Sequence, residues 1–171
     1  LGRGLILAID QSTSISGWAI LDANRNLIDY GIWDKTNVGD TTELGHTIKR
    51  DSLKKDIIKT LQKYPNIIQV ICEGVTYQRN PQTHMKLSKC QGLIENICYE
   101  LKVNCLTFNA SSWRSYLPIK FGKKRNEIKE NTKKYILSLY PEIGEQEQDV
   151  YDAIGIGLAY LNMVIDIGQV K

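Results

Sequence analysis

The sequence predicts an α/β fold: a mixed five-stranded sheet, three strands antiparallel and two parallel, flanked by helices. Three observations lead there. Short apolar runs near the start are separated by turn-forming residues, two later β-branched runs bracket a segment of helical length, and apolar residues recur at helical spacing elsewhere.

Leu5 to Asp10 is an apolar run of strand length, and Gly17–Leu21 and Leu27–Trp33 follow it. Asp22-Ala23-Asn24-Arg25-Asn26 supplies a hairpin turn, so these three strands form an antiparallel meander. From Leu44 to Tyr64 the residues Leu44, Ile48, Leu53, Ile57, Ile58 and Leu61 come close to helical spacing, and Pro65 stops the helix. Ile67 to Cys72 and Val103 to Phe108 are β-branched runs on either side of a helix over Thr83–Leu101, which makes a parallel pair joined by a right-handed crossover. Helices over Asn126–Leu139 and Gln148–Ile165 complete the chain. No repeat, linker or low-complexity tract divides residues 1–171, so one compact domain is expected.

Composition narrows the class. An apolar share of 42% with 24% charged residues suits a soluble protein, and no uninterrupted apolar run suggests a membrane span. The opening LGRGLILAID turns acidic too soon for a signal peptide, so a cytoplasmic, unprocessed protein is expected. Cys72, Cys90, Cys98 and Cys105 form no CxxC pair and have only His46 and His84 for company, which argues for reduced, mostly buried thiols and against a zinc site. The net charge is +3, but its distribution is uneven. Arg114, Lys120, Lys123, Lys124, Arg125, Lys129, Lys133 and Lys134 crowd one segment, while Glu142 to Asp152 is acidic.

Asp10 ends an apolar strand, and Glu73 ends another. Carboxylates in such places are costly to desolvate unless a cation compensates them. Asp149 and Asp152 stand three apart near the start of a helix and so share one face. If the four converge, an all-oxygen acidic cluster results, suited to Mg²⁺ or Mn²⁺. Two such ions roughly 3.5–4 Å apart hydrolyse phosphodiesters without a covalent nucleophile. Glu142, Glu145 and Glu147 read as solvated charge, and Trp33 and Trp113 as core.

Three blocks now resemble a known family. LILAIDQSTSISGWAIL resembles the first-strand motif of the RuvC family of Holliday junction resolvases; VICEGVTYQRNPQTHMKLSKCQG is similar to its second, and QDVYDAIGIGLAY to its last. The resemblance implies a single nuclease domain of ribonuclease H-like fold, a homodimer formed through the helix after Glu73, and two Mg²⁺ ions per subunit, which Mn²⁺ would replace. It also implies paired cleavage of four-way DNA junctions to 5′-phosphate and 3′-hydroxyl ends. Asp10, Glu73, Asp149 and Asp152 take the metal-binding catalytic positions, and Arg114, Lys123, Lys124 and Arg125 those near the scissile phosphate, with Tyr77 and Arg79 assigned to DNA contact. Gln11-Ser12-Thr13 stands where the family usually has Pro-Gly-Ser, and Thr76 rather than Tyr77 is in register with its junction-wedging aromatic residue. These departures fit a phage-encoded relative acting in a bacterial cytoplasm and count against dependence on a branch-migration motor.

Two rivals have other chemistry. AIDQSTSISGWAI also resembles the phosphate-binding motif of actin-like ATP-dependent kinases, yet Ser12 replaces the glycine that lets backbone approach a nucleotide, and 171 residues cannot form two lobes. A non-catalytic branched-DNA-binding module would do better without four acids facing phosphate.

Overall fold

The computed structural model describes residues 4–76, 80–109 and 112–169, with side chains described through residue 165. Strands β1 (Leu5–Asp10), β2 (Ile15–Asp22) and β3 (Leu27–Asp34) form the meander, followed by helix α1 (Glu43–Lys63), strand β4 (Ile67–Glu73), helix α2 (Pro81–Leu101), strand β5 (Asn104–Phe108) and helices α3 (Arg125–Leu139) and α4 (Gln148–Gln169). The order in the sheet is β3-β2-β1-β4-β5. β1 runs antiparallel to β2 and parallel to β4, and β5 is parallel to β4. The expected three-plus-two sheet is therefore present. Its turn works as the residues suggest: the Asp22 carboxylate accepts the amides of Asn24 and Asn26, and Arg25 takes a positive φ of 65°.

β1 is central and buried on both faces, which explains its unbroken apolar run. Ile6 and Ala8 face one core with Ala19, Leu21, Ile71 and the apolar side of α4. Leu7 and Ile9 face the other with Ile20, Val70, Leu53, Ile57, Ile94 and Ile97 from α1 and α2. Trp33 and Trp113 are both core residues, as expected. Cys72, Cys90 and Cys98 are buried free thiols and Cys105 is half-buried.

The first half of α1 departs from expectation. Leu44 and Ile48 were expected on the apolar stripe but are 70% and 46% exposed. Helical phase explains it. At about 100° per residue, Ile48 lies about 140° from Leu53 and Leu44 lies on the opposite side of the helix, so neither shares the buried face of Leu53, Ile57 and Leu61. In α2, Cys90, Ile94 and Ile97 are buried and Leu93 packs against the core, while Leu87 is half-buried and Met85 and Leu101 are exposed. Two short 3-10 turns, Trp113–Tyr116 and Pro141–Ile143, have no periodic sequence signal.

α4 crosses β2 and β1 closely, and small residues permit it. Gly17 on β2 is the tightest point: a Cβ there would lie 1.9 Å from the backbone oxygen of Asp149. At Gly155, a Cβ would meet the Trp113 ring at 2.7 Å. Because the first clash sets a Cβ against backbone, rotamer changes cannot relieve it. Gly17→Ala should cost about 3 kcal/mol, at the upper end for overpacking, and displace the start of α4. Chemical denaturation checks this, and wild-type stability in the variant would contradict so close a crossing.

Candidate active site

Parallel pairing of β1 with β4 sets the site. Ile9 pairs with Cys72, so Asp10 and Glu73 emerge side by side at the carboxyl ends of adjacent strands. Asp10 also pairs across β1 and β2 with Gly17, the residue on which the first turn of α4 rests. That contact delivers Asp149 and Asp152 to the same end of the sheet. Three distant segments thus bring acids to one end of the sheet, near enough for Asp152, Glu73 and Asp149 to act on Asp10.

The site has a counter-ion of its own. Arg114, on the 3-10 turn after β5, places Nη2 3.1 Å from Asp152 Oδ1. Its guanidinium lies 4.0 Å from the centre of the Trp113 ring, which holds the side chain in place by cation–π contact. Gln148 Nε2 approaches the same Asp152 oxygen at 3.3 Å, and Gln11 Nε2 donates to the Glu73 backbone oxygen at 2.9 Å. The buried Trp113 indole N–H makes no hydrogen bond of normal length, yet it is near enough to Glu73 to favour the ionised carboxylate.

Burial pushes every one of the four acids upward, and repulsion within the group adds to it at Asp10, Glu73 and Asp152. Asp10 is held well above the usual carboxylate range, first by burial and then by the charges of Asp152, Glu73 and Asp149, with Arg114 opposing. Glu73 is pushed up to about 7, again chiefly by burial, with Arg114 as the main opposing influence. Burial also raises Asp152, against Arg114 and Gln148, and Asp149, against its own backbone amide and Lys129. A site in which the ionised forms are this unfavourable is short of positive charge.

The donors suit a hard divalent cation: carboxylate oxygens, no thiol and no imidazole. As they stand they form an open set, because among the described residues no three acidic, thiol or imidazole groups are close enough to enclose an ion together. Arg114 meets part of the demand for positive charge. In donor chemistry Asp10, Glu73, Asp149 and Asp152 are the kind of set that Mg²⁺ or Mn²⁺ takes, and Arg114 answers part of their charge.

Beside the acids lies a groove lined by Asp10, Gln11, Glu73, Thr76, Leu87 and Arg125. Arg125 thus reaches the site, whereas Lys123 and Lys124 are exposed on the approach to α3, where Glu127 Oε2 accepts the Lys123 amide at 3.2 Å. Tyr77 and Arg79 lie outside the described residues. The sequence did not disclose the Arg114–Asp152 pair or the supporting places of Trp113, Gln11 and Gln148. Only the adjacency of Trp113 and Arg114 to the basic segment hinted at them.

The raised acids make stability depend on pH. Each titrates higher folded than unfolded, so within that interval the native state holds the extra proton and stability falls as pH rises. For Glu73 the interval runs from 4.5 to about 7. Asp10→Asn removes one repelling charge, and without metal it should melt several degrees above wild type at about pH 7.5, a kcal/mol being about 2–4 °C in a domain of this size. At about pH 4.5 the difference should shrink. Arg114→Gln should melt lower than wild type at the higher pH. Calorimetric scans in chelator check both, and an Asp10→Asn protein no more stable than wild type at the higher pH would contradict the repulsion.

No family model and no curated protein matches the sequence. Solved structures do match the fold. Thermus thermophilus RuvC in complex with a Holliday junction substrate is similar over 96% of this chain and 96% of that one, with a TM-score of 0.73 at 11% identity. The yeast mitochondrial Holliday junction resolvase is similar over 96% of this chain and 80% of its own, with a TM-score of 0.64 at 14% identity. Fowlpox virus resolvase, in complex with Holliday junction DNA, covers 94% and 99% with a TM-score of 0.61 at 18% identity. At such identities the likeness is one of fold, and the ribonuclease H-like architecture expected from the sequence is the one found.

Proposed function

We propose that this chain is a metal-dependent endonuclease that cuts branched DNA, four-way junctions above all, by phosphodiester hydrolysis. The observation that carries this is the gathering of Asp10, Glu73 and Asp152, with Asp149 beside them, at one end of the sheet, all raised in pKa, with one arginine paired to Asp152. Structural ion pairs do not need four acids for one guanidinium. The similarity in fold to three junction resolvases supports branched DNA as the substrate class.

Two Mg²⁺ ions, or Mn²⁺ in their place, held by these acids would activate the attacking water and stabilise the departing 3′ oxygen, leaving 5′-phosphate and 3′-hydroxyl ends. The chain's own side chains do the rest. Asp10 and Glu73 fix the donors on the rigid ends of β1 and β4, while Asp149 and Asp152 close the set from α4. Arg114, paired with Asp152 at the edge of the set, is placed to stabilise charge developing on the phosphate. Arg125 along the groove, with Lys123 and Lys124 at its mouth, holds the backbone by contacts that carry no sequence information. A four-way junction needs two nicks at symmetry-related phosphates, and a two-fold homodimer supplies two sites in a fixed relation.

The test is a gel assay with labelled four-way junction, fork and linear duplex. Wild type should cut the junction in Mg²⁺ at paired positions, and Asp10→Asn or Glu73→Gln should lose several orders of magnitude in rate while binding DNA as well or better. Cleavage surviving in Asp10→Asn, or in excess EDTA, would overturn the assignment. Replacing Lys123, Lys124 and Arg125 by Ala should weaken binding to every DNA form and lower the log–log salt slope by about 1 for each phosphate no longer neutralised. An unchanged slope would mean that these charges merely face solvent.

A further inference from the structure

Across the Asp10 loop from the acids, a narrow cleft opens between α1 and α2. Ser12, Thr13, Lys35, Lys49, Arg50 and Lys86 line it, with His46 beside them, and no carboxylate does. Lys35 is answered by an ion pair with Asp56. Arg50 donates to the Thr47 hydroxyl at 2.9 Å and lies near enough to Glu43 to lower its pKa, but Glu43 is already paired with Lys89, and neither Lys49 nor Lys86 has a hydrogen bond or ion pair among the described residues. Lys49, Arg50 and Lys86 are half-buried. Surface lysines ordinarily extend into water, and two of them, Lys49 and Lys86, partly withdrawn from water and unpaired, make a place that favours an anion.

The size of the cleft narrows the choice of anion. It has room for about one water-sized sphere, about 10 Å³, which is enough for an anionic oxygen. Its location narrows it further. Ser12 and Thr13 follow Asp10 by two and three residues, and on α2 the neighbours Lys86 and Leu87 divide between the two depressions, Lys86 lining this cleft and Leu87 the groove beside the acids. A single strand whose phosphodiester faces Asp10 and Glu73 would pass its adjoining backbone over the cleft.

From this we infer that Lys49, Arg50 and Lys86 form a second anchor, which takes a backbone phosphate on the strand being cut and sets which phosphodiester faces the acids. This rests on the proposed nuclease function. It differs from the anchor at Lys123–Arg125 in lying on α1 and α2, on the other side of the Asp10 loop.

The experiment follows junction binding by fluorescence anisotropy in EDTA across a range of KCl. Wild type is compared with the double variants Lys49→Gln/Lys86→Gln and Lys49→Arg/Lys86→Arg, the latter retaining both charges. The glutamine pair should lower the log–log salt slope by about 2 and weaken binding by about tenfold or more at low salt, while the arginine pair stays near wild type. In Mg²⁺ the glutamine pair should also cut at a less sharply defined position. Wild-type slope in the glutamine pair, with its melting curve unchanged, would overturn the anchor and leave the nuclease function standing. Failure of wild type to bind any DNA would overturn both. If the glutamine substitutions abolished calorimetric binding of ATP or pyrophosphate while leaving junction binding unchanged, the ligand would be a free phosphate compound and the anchor would again be overturned.

Discussion

Four carboxylates withdrawn from water at one end of a sheet repel one another, and the rest of the structure follows from how that repulsion is accommodated. The hydrophobic core pays for it. Ion pairing compensates only in part, since a single guanidinium faces Asp10, Glu73 and Asp152. Such local instability is what a functional site commonly imposes on its scaffold. It also makes the site responsive, because any added positive charge meets acids whose ionised forms are waiting to be stabilised.

The scaffold holds these acids with rigid parts. Asp10 and Glu73 project from adjacent, fully paired strands, β1 being the centre of the sheet. Asp149 and Asp152 come from α4, whose docking depends on the missing side chain at Gly17. Trp113 fills the space beside Gly155, supports the guanidinium of Arg114 and turns its indole N–H toward Glu73. One buried tryptophan therefore joins core packing to the electrostatics of the site. The Asp10 loop then separates two depressions of opposite character, one acidic and one basic, which is what the proposed cutting of DNA would require.

Much of this was legible in the sequence for plain physical reasons. β1 is apolar throughout because both faces are covered, and an acid at the end of such a strand stands out. Asp149 and Asp152 share a helix face by spacing alone. Where the sequence misled, local periodicity was set against tertiary placement. Leu44 and Ile48 look like an amphipathic stripe until their phase against Leu53 is worked out, and they turn out exposed. Arg114 reads as one basic residue among eight, since nothing local distinguishes a guanidinium 3.1 Å from a distant aspartate from one in water. The cleft of Lys49, Arg50 and Lys86 was equally hidden, because its cations come from two helices and its hydroxyls from a loop.

The central claim is that Asp10, Glu73, Asp149 and Asp152 act as one cation-demanding site. Calorimetric titration of Mn²⁺ into wild type and into Glu73→Gln, both free of DNA, tests it most directly. Saturable binding to wild type that is lost or greatly weakened in Glu73→Gln is the result predicted. Binding indistinguishable between the two proteins, or none to either, would contradict it.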